Sequence, residues 1–77
     1  MRNLGPRMEE MLAEVGITTP AALKRIGAVE AWHRLRFRYG SRITITALNA
    51  MAGALIDCDW RALPDSLKQE LRKESGS

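Results

Sequence analysis

Four arginines within ten residues form the densest group of basic side chains in this 77-residue chain. They lie in the segment HRLRFRYGSR, residues 33–42, with two aromatic residues between them. Guanidinium groups form paired hydrogen bonds with phosphate oxygens, and aromatic rings among basic residues are typical of surfaces that bind nucleic acid. A basic face that serves only solubility has the same composition, so both interpretations stay open. The four residues are Arg34, Arg36, Arg38 and Arg42.

The helical period places these side chains on different faces of the predicted helix. If the segment is helical, Arg34 and Arg38 share one face, four residues apart, and Arg36 points elsewhere. We expect the two aromatic residues, Phe37 and Tyr39, to lie in the core, because each buries a large area that a small domain needs. The arginines then remain available to a partner. A stacking platform made by the two rings is the alternative.

A second candidate site is the turn RNLGP, residues 2–6, which leads into a helix. The first N–H groups of a helix have no partner within it and attract anions when the backbone around them is accessible. Gly5 keeps that backbone accessible, and Arg2 and Arg7 flank it with positive charge. A plain helix start is the competing interpretation, because proline is common at the first helical position and Pro6 occupies it here.

The residues that catalysis or metal binding requires are scarce. Cys58 and His33 are the single cysteine and the single histidine, and they lie far apart in the sequence, so they form no set of metal ligands. Neither has a partner at a spacing typical of nucleophilic or acid–base catalysis, and no phosphate-loop motif occurs. We therefore expect no enzyme activity, metal, cofactor or small-molecule substrate, with a structural or surface histidine and an unreactive cysteine.

Five helices have to position these residues. Apolar residues recur at helical spacing in five segments, and Gly16, Gly27 and Gly40 follow the first three as C-terminal caps. Thr19 precedes Pro20 as an N-cap residue precedes a first-turn proline. The expected helices are residues 6–15, 20–26, 28–39, 44–56 and a fifth that starts at Pro64 or at Ser66.

The fourth helix is the expected centre of the fold. Apolar side chains lie on almost every side of it, and its small residues allow neighbouring helices to approach closely. Thr44 is the expected N-cap, because Ile43 and Leu48 then take the positions of a hydrophobic staple. The small residues are Ala47, Ala50, Gly53 and Ala54.

Length and composition indicate one small domain. The chain is 45% hydrophobic and 27% charged, as in ordinary globular proteins, and no strand-like alternation or interior linker occurs. We expect an all-α fold, a single compact bundle of about five short helices over residues 1–77, ordered from about residue 3 to 73 with a frayed tail after that.

The cellular location that we expect follows from three features that the sequence lacks. A single cysteine cannot form an internal disulfide, and no signal sequence is visible. The longest apolar stretch is shorter than the roughly 20 residues of a membrane-spanning helix. We therefore expect a cytoplasmic protein with no membrane partner.

Several short motifs resemble those of the C-terminal domain of the TfoX/Sxy family, bacterial regulators associated with natural competence. They are RNLGP at residues 2–6, LAEVGI at 12–17, LKRIGAVEAWHRL at 23–35, LNAMAGAL at 48–55 and WRALP at 60–64. The resemblance implies a small helical domain related to helix-hairpin-helix and SAM-like modules, and no catalysis. Family members often carry a separate N-terminal domain, so the chain is either a stand-alone version or a piece of a longer protein.

The turn departs from the helix-hairpin-helix pattern at one residue. Such DNA-binding modules have two glycines, one residue apart, before the helix, and Asn3 stands in place of the first. Asparagine tolerates left-handed backbone conformations, so the turn itself can persist. Only Met1 and Arg2 precede Asn3 in this sequence, so we expect the turn to lack the leading helix of a hairpin.

The expected function is regulation through contact with DNA or a DNA-bound transcription complex. The uneven distribution of charge along the chain favours contact with DNA. Residues 1–42 hold eight basic and four acidic residues, whereas residues 43–77 hold four basic and five acidic residues. The alternative is a protein-interaction module that binds a protein partner or a second copy, which an exposed apolar patch or a symmetric contact would favour. The expected nucleic-acid-binding residues are Arg2, Gly5, Arg7, Arg34, Arg36, Arg38 and Arg42.

Overall fold

Five α-helices and two short 3₁₀ turns follow one another in the computed structural model, which describes residues 3–76. The helices are α1 (Pro6–Glu14), α2 (Pro20–Ile26), α3 (Ala28–Tyr39), α4 (Ile45–Leu55) and α5 (Asp65–Ser75), and the 3₁₀ turns are Gly40–Arg42 and Trp60–Ala62. Between residues 3 and 76 there is no strand. The expected all-α class is confirmed.

Local capping interactions end α1 and begin α2. Gly16 has a left-handed φ of 85°, and the N–H of Ile17 donates to the carbonyl of Leu12 at 2.9 Å. The side chains of Ile17 and Leu12 are both fully buried, which is the hydrophobic contact of such a cap. The Thr19 hydroxyl accepts a hydrogen bond from the N–H of Ala22 at 3.1 Å. Both predicted caps are confirmed.

The start of α4 combines a predicted and an unpredicted contact. Thr44 is its N-cap residue, and Ile43 and Leu48 are buried, as a hydrophobic staple requires. The Thr44 side chain makes no capping hydrogen bond. Its carbonyl instead accepts a hydrogen bond from Nε1 of Trp32 at 2.9 Å, which joins α3 to the start of α4.

The last helix extends beyond the limit expected from the sequence. It follows Pro64, which is the N-cap residue, and continues to Ser75 before Gly76 closes it in a left-handed conformation. The carbonyl of Ser75 accepts a hydrogen bond from Nε2 of His33 at 3.0 Å. Fraying from residue 73 was the expectation, and the helix stays formed to residue 75 because α3 holds its end.

α3 and α4 together form the centre of the molecule. α4 is highly buried, as expected, but it is α3 that packs against all four other helices. Within the described chain, α1 packs on α3 and has no helix contact with α4, which corrects the expectation that every helix wraps around α4. None of the described helices is long and apolar enough to cross a membrane. The largest fully buried side chains are Leu12, Ile17, Leu23, Leu35, Ile43, Leu48 and Met51.

Gly53 on α4 accommodates a close approach of the backbone. A methyl group at this position would lie 2.6 Å from Nδ2 of Asn3 and 2.6 Å from the carbonyl oxygen of Cys58. The close neighbours are therefore the N-terminal turn and the segment after α4, whereas the sequence suggested a neighbouring helix. This contact fixes where the N-terminal turn sits.

Candidate nucleic-acid interface

The N-terminal turn is anchored on the end of α4 by Asn3. This residue has a left-handed φ of 67°, and its Nδ2 donates to the carbonyls of Cys58 at 2.7 Å and Ala50 at 3.4 Å. Leu4, the next residue, is buried in the core. The turn therefore has a structural role, because its side chains satisfy carbonyls at the C-terminal end of α4.

The start of α1 keeps two backbone donors available. Gly5 is exposed and extended, with φ −80° and ψ 174°, and a methyl group there would meet no atom within 4 Å. Pro6 has no N–H, and the first helical hydrogen bond runs from the N–H of Glu9 to the Gly5 carbonyl at 3.1 Å. The N–H groups of Arg7 and Met8 precede that bond. An anion can approach this turn, although the turn needs no anion to form.

Three of the predicted arginines meet in a cleft between α1 and the C-terminal end of α3. We call it the arginine cleft. Its volume is about 370 Å³. Among the described residues, the guanidinium groups of Arg7 and Arg42 make no hydrogen bond or ion pair. Arg2 lies outside the described residues. The cleft is lined by Arg7, Glu10, Met11, Glu14, Arg38, Tyr39 and Arg42.

Arg38 connects α3 to α1 across this cleft. Its guanidinium group donates to Glu14 at 2.9 Å and to the hydroxyl of Tyr39 at 3.4 Å. The hydrogen bond to Tyr39 is the largest cause of a raised Arg38 pKa, and the charge of Glu14 raises that pKa further. Because the Arg38–Glu14 pair is exposed, its strength is modest and an anion can compete for the guanidinium.

The two remaining arginines of α3 lie outside the arginine cleft. Arg34 pairs with Glu30 one turn earlier at 3.2 Å. Arg36 donates from Nη1 to the carbonyl of Ile43 at 2.9 Å, and its guanidinium group lies 5.2 Å from the ring centroid of Trp32. Arg36 therefore secures the connection between α3 and α4, and its polar group is already engaged within the fold.

Phe37 is 96% exposed, so the expectation that it packs in the core is wrong. The core side of α3 consists of Ala28, Ala31, Trp32 and Leu35, and Phe37 lies on the opposite side of the helix. Its spacing from Trp32 and Leu35 was the available signal, because neither five nor two residues returns to the same helical face. Tyr39, in contrast, packs partly buried against the core as expected.

The family can be assigned once this geometry is compared with known proteins. A model of the TfoX C-terminal domain matches residues 1–75. The chain belongs to this family. It is 37% identical over 75 residues to Protein Sxy of Escherichia coli (strain K12), a match that covers 97% of this chain and 35% of Sxy. The chain thus spans about a third of the length of that relative.

Two crystal structures of Listeria monocytogenes proteins resemble this TfoX domain closely. One, of an uncharacterized protein in a triclinic form, has a TM-score of 0.90 at 34% identity and covers 95% of this chain and 82% of that chain. The other, of a protein of unknown function in a tetragonal form, has a TM-score of 0.91 at 33% identity and covers 99% of this chain and 93% of that chain. Both matches support the helical arrangement described above.

The histidine and the cysteine of the TfoX domain make backbone contacts. His33 bonds the end of α5, and Sγ of Cys58 donates to the carbonyl of Asp59 at 3.3 Å. Over residues 3–76, no three side chains of histidine, cysteine, aspartate or glutamate are grouped so that they could hold a metal ion. Of the residues predicted for the interface, Arg7, Arg38 and Arg42 line the arginine cleft, and its carboxylates, Glu10 and Glu14, were not among the predicted residues.

Proposed function

We propose that this TfoX domain is a non-enzymatic regulatory domain that binds the phosphate backbone of DNA at the arginine cleft. The observation that supports this proposal is the convergence of Arg7, Arg38 and Arg42 from three different elements. Phosphate contacts of this kind supply most of the affinity of proteins that bind DNA without sequence preference. Arg7 also belongs to the first turn of α1, where helix N–H groups favour a negative charge.

The charges in the arginine cleft determine the strength of DNA binding that we propose. Three guanidinium groups lie there with two carboxylates, Glu10 and Glu14. Contact with about three phosphates corresponds to a slope of roughly −2.7 in a plot of log K against log salt concentration. The binding is therefore weak, electrostatic and steeply dependent on salt, and a second contact with a DNA-bound protein complex would add to it.

A salt titration with charge-matched variants tests the proposal. Arg7→Ala combined with Arg42→Ala removes two positive charges without breaking an ion pair between described residues. Lys24→Ala combined with Lys73→Ala removes the same charge from exposed positions outside the cleft. We expect the arginine variant to lose about two-thirds of the salt slope on unrelated duplex fragments, and the lysine variant to keep it. Equal loss by both variants, or no duplex binding at low salt, would contradict the proposal.

Gly5→Ala separates the backbone contact from the side-chain contacts in the same titration. The methyl group meets no atom of the protein within 4 Å, and the φ of −80° suits any residue, so the fold is unaffected. If phosphate approaches the first turn of α1 closely, the added methyl group weakens binding. Unchanged affinity would limit the contact to the arginine side chains.

A protein-interaction module is the second candidate function, because the domain also exposes apolar surface. Phe37 is 96% exposed and Ile56 is 60% exposed. Exposed apolar side chains that cluster into a patch mark protein interaction sites. A partner bound through them would remain associated at a salt concentration that releases DNA, since apolar contacts are not screened by ions.

A further inference from the structure

The outward side of α3 carries a nearly fully exposed aromatic ring. Val29, Glu30, His33, Arg34 and Phe37 lie on one side of the helix, away from its buried residues. We call these five residues the α3 outer face. Its C-terminal end is the Phe37 ring, which is 96% exposed. An exposed phenyl ring on a rigid helix has its position fixed in advance, and this favours its use as an anchor in an interface.

An apolar groove adjoins the other end of the α3 outer face. It lies between α3, α4 and α5 and has a volume of about 670 Å³. Glu30 and His33 border both this apolar groove and the shallower cleft that contains Phe37, so the ring and the groove belong to one continuous surface. The apolar side chains of the groove are Ile26, Val29, Leu55, Ile56, Leu67 and Leu71.

Opposite charges accompany these two features. Glu30 and Glu74 lie at the apolar groove, whereas Arg34 and Arg38 lie beside Phe37, together with Glu14, which pairs with Arg38 at 2.9 Å. Glu30 and Arg34 pair with each other within the chain at 3.2 Å, but both are exposed, and exposed pairs exchange partners at little cost in free energy. The surface thus has an apolar groove with two glutamates at one end and, at the other, an aromatic ring flanked by two arginines in exposed ion pairs.

We propose that the α3 outer face binds a second copy of this chain in a two-fold symmetric dimer. With the two α3 helices antiparallel, Phe37 of each copy enters the apolar groove of the other. Arg34 and Arg38 of each copy then lie opposite the acidic groove residues of the second copy. Each copy supplies both halves of the contact, as an isologous interface requires. This dimer is a specific form of the second candidate function, and its test needs no DNA, so it can fail independently of the DNA proposal.

Such a dimer requires a substantial share of the surface of the molecule. A stable interface buries about 800 Å² from each partner. That is about a sixth of the 4844 Å² of accessible surface of this small domain. The α3 outer face together with the apolar groove spans α2, α3, α4 and α5. Because the charges of this surface complement each other, the partner that it fits is a second copy of the chain.

Sedimentation equilibrium of the purified chain tests this dimer. We expect the wild-type chain to dimerise and Phe37→Ala to weaken dimerisation by at least about 30-fold, as for loss of a central anchor. Because Phe37 is almost fully exposed, its removal leaves the monomer folded, which circular dichroism checks. Gln69→Ala is the control, since Gln69 is exposed on α5 but does not line the apolar groove. It should dimerise like the wild type.

Charge exchange tests the antiparallel arrangement. Glu30→Arg alone and Arg34→Glu alone each place like charges across the two-fold axis and should weaken dimerisation about 5-fold or more. The double variant restores opposite charges and should recover most of the wild-type affinity. Recovery without dependence on Phe37, or open polymers in place of dimers, would overturn the proposed geometry.

Two further outcomes would overturn the proposal. One is a wild-type chain that stays monomeric up to about 1 mM, where even an interface with a micromolar Kd is nearly saturated. The other is a monomer whose binding to duplex DNA weakens on Phe37→Ala, which would assign the α3 outer face to nucleic acid.

Discussion

Asn3 occupies the position at which a helix-hairpin-helix turn has its first glycine. It keeps the left-handed backbone of that position, with φ 67°, and adds an amide that donates to the Cys58 carbonyl at 2.7 Å. Gly53 makes room for this amide, since a methyl group there would lie 2.6 Å from Nδ2 of Asn3. At the residue scale, the Asn3 amide and the missing side chain at Gly53 depend on each other, and together they fix the turn from which α1 starts.

Replacing Asn3 by glycine and by alanine separates the two contributions. Asn3→Gly keeps the backbone conformation but loses the hydrogen bonds to the carbonyls of Cys58 and Ala50, so we expect a loss of about 1 kcal/mol in the free energy of unfolding. Asn3→Ala also has to adopt a left-handed φ, which adds about 1 kcal/mol to that loss. Urea unfolding monitored by circular dichroism measures both. A glycine variant as stable as the wild type would mean that the hydrogen bonds contribute nothing.

Arginines of the same helix have different roles because α3 presents each to a different neighbour. Arg38 faces α1 and pairs with Glu14, Arg34 pairs with Glu30 on the surface of α3, and Arg36 donates to the Ile43 carbonyl before α4. At the scale of the element, α3 therefore carries one arginine bonded to the backbone before α4 and two arginines in exposed ion pairs. Amino-acid composition alone does not distinguish these three arginines.

Alanine substitutions of these arginines should differ in their effect on stability. Arg36→Ala removes a hydrogen bond to a backbone carbonyl and the contact with the Trp32 ring, so we expect a loss of about 1 to 2 kcal/mol in the free energy of unfolding. Arg34→Ala removes only an exposed ion pair and should change stability little. Thermal and urea unfolding of both variants measure the difference. Equal stability of the two would contradict a structural role for Arg36.

The whole molecule carries two surfaces of different chemistry. The arginine cleft lies between α1 and the end of α3, and the apolar groove lies where α3, α4 and α5 meet. Arg7 and Arg42 line the first and do not line the second. Because the arginine cleft and the apolar groove have no lining residue in common, the proposed electrostatic binding at one and the proposed apolar association at the other can be tested separately.

The double variant Arg7→Ala, Arg42→Ala should therefore leave dimerisation unchanged while it weakens DNA binding. We expect its dimerisation constant to stay within roughly twofold of the wild type, as for substitutions at independent sites. Sedimentation equilibrium at several salt concentrations provides the measurement. A large loss of dimer in this variant would mean that the arginine cleft is itself part of the dimer interface.

Much of the fold could be predicted from sequence, whereas the composition of the site could be predicted only in part. The caps at Gly16 and Thr19 and the helix boundaries agree with expectation to within one or two residues. Arg7, Arg38 and Arg42 were expected at a common interface and do line one cleft, but Glu10 and Glu14 there were not foreseen. Phe37 was predicted to be buried and is exposed. The prediction relied on the general tendency of aromatic side chains to be buried, although the helical spacing of Phe37 placed it away from the core residues of α3.

The amino-acid sequence by itself determined the helices and where they end, because capping and periodicity are interactions among residues a few positions apart. Only the tertiary structure decided which helix lies against which, and hence the partners of Arg36 and Asn3. Those contacts join residues that are distant in the sequence, such as Asn3 and Cys58. Their geometry depends on how the helices pack, and no local pattern of residues specifies that packing.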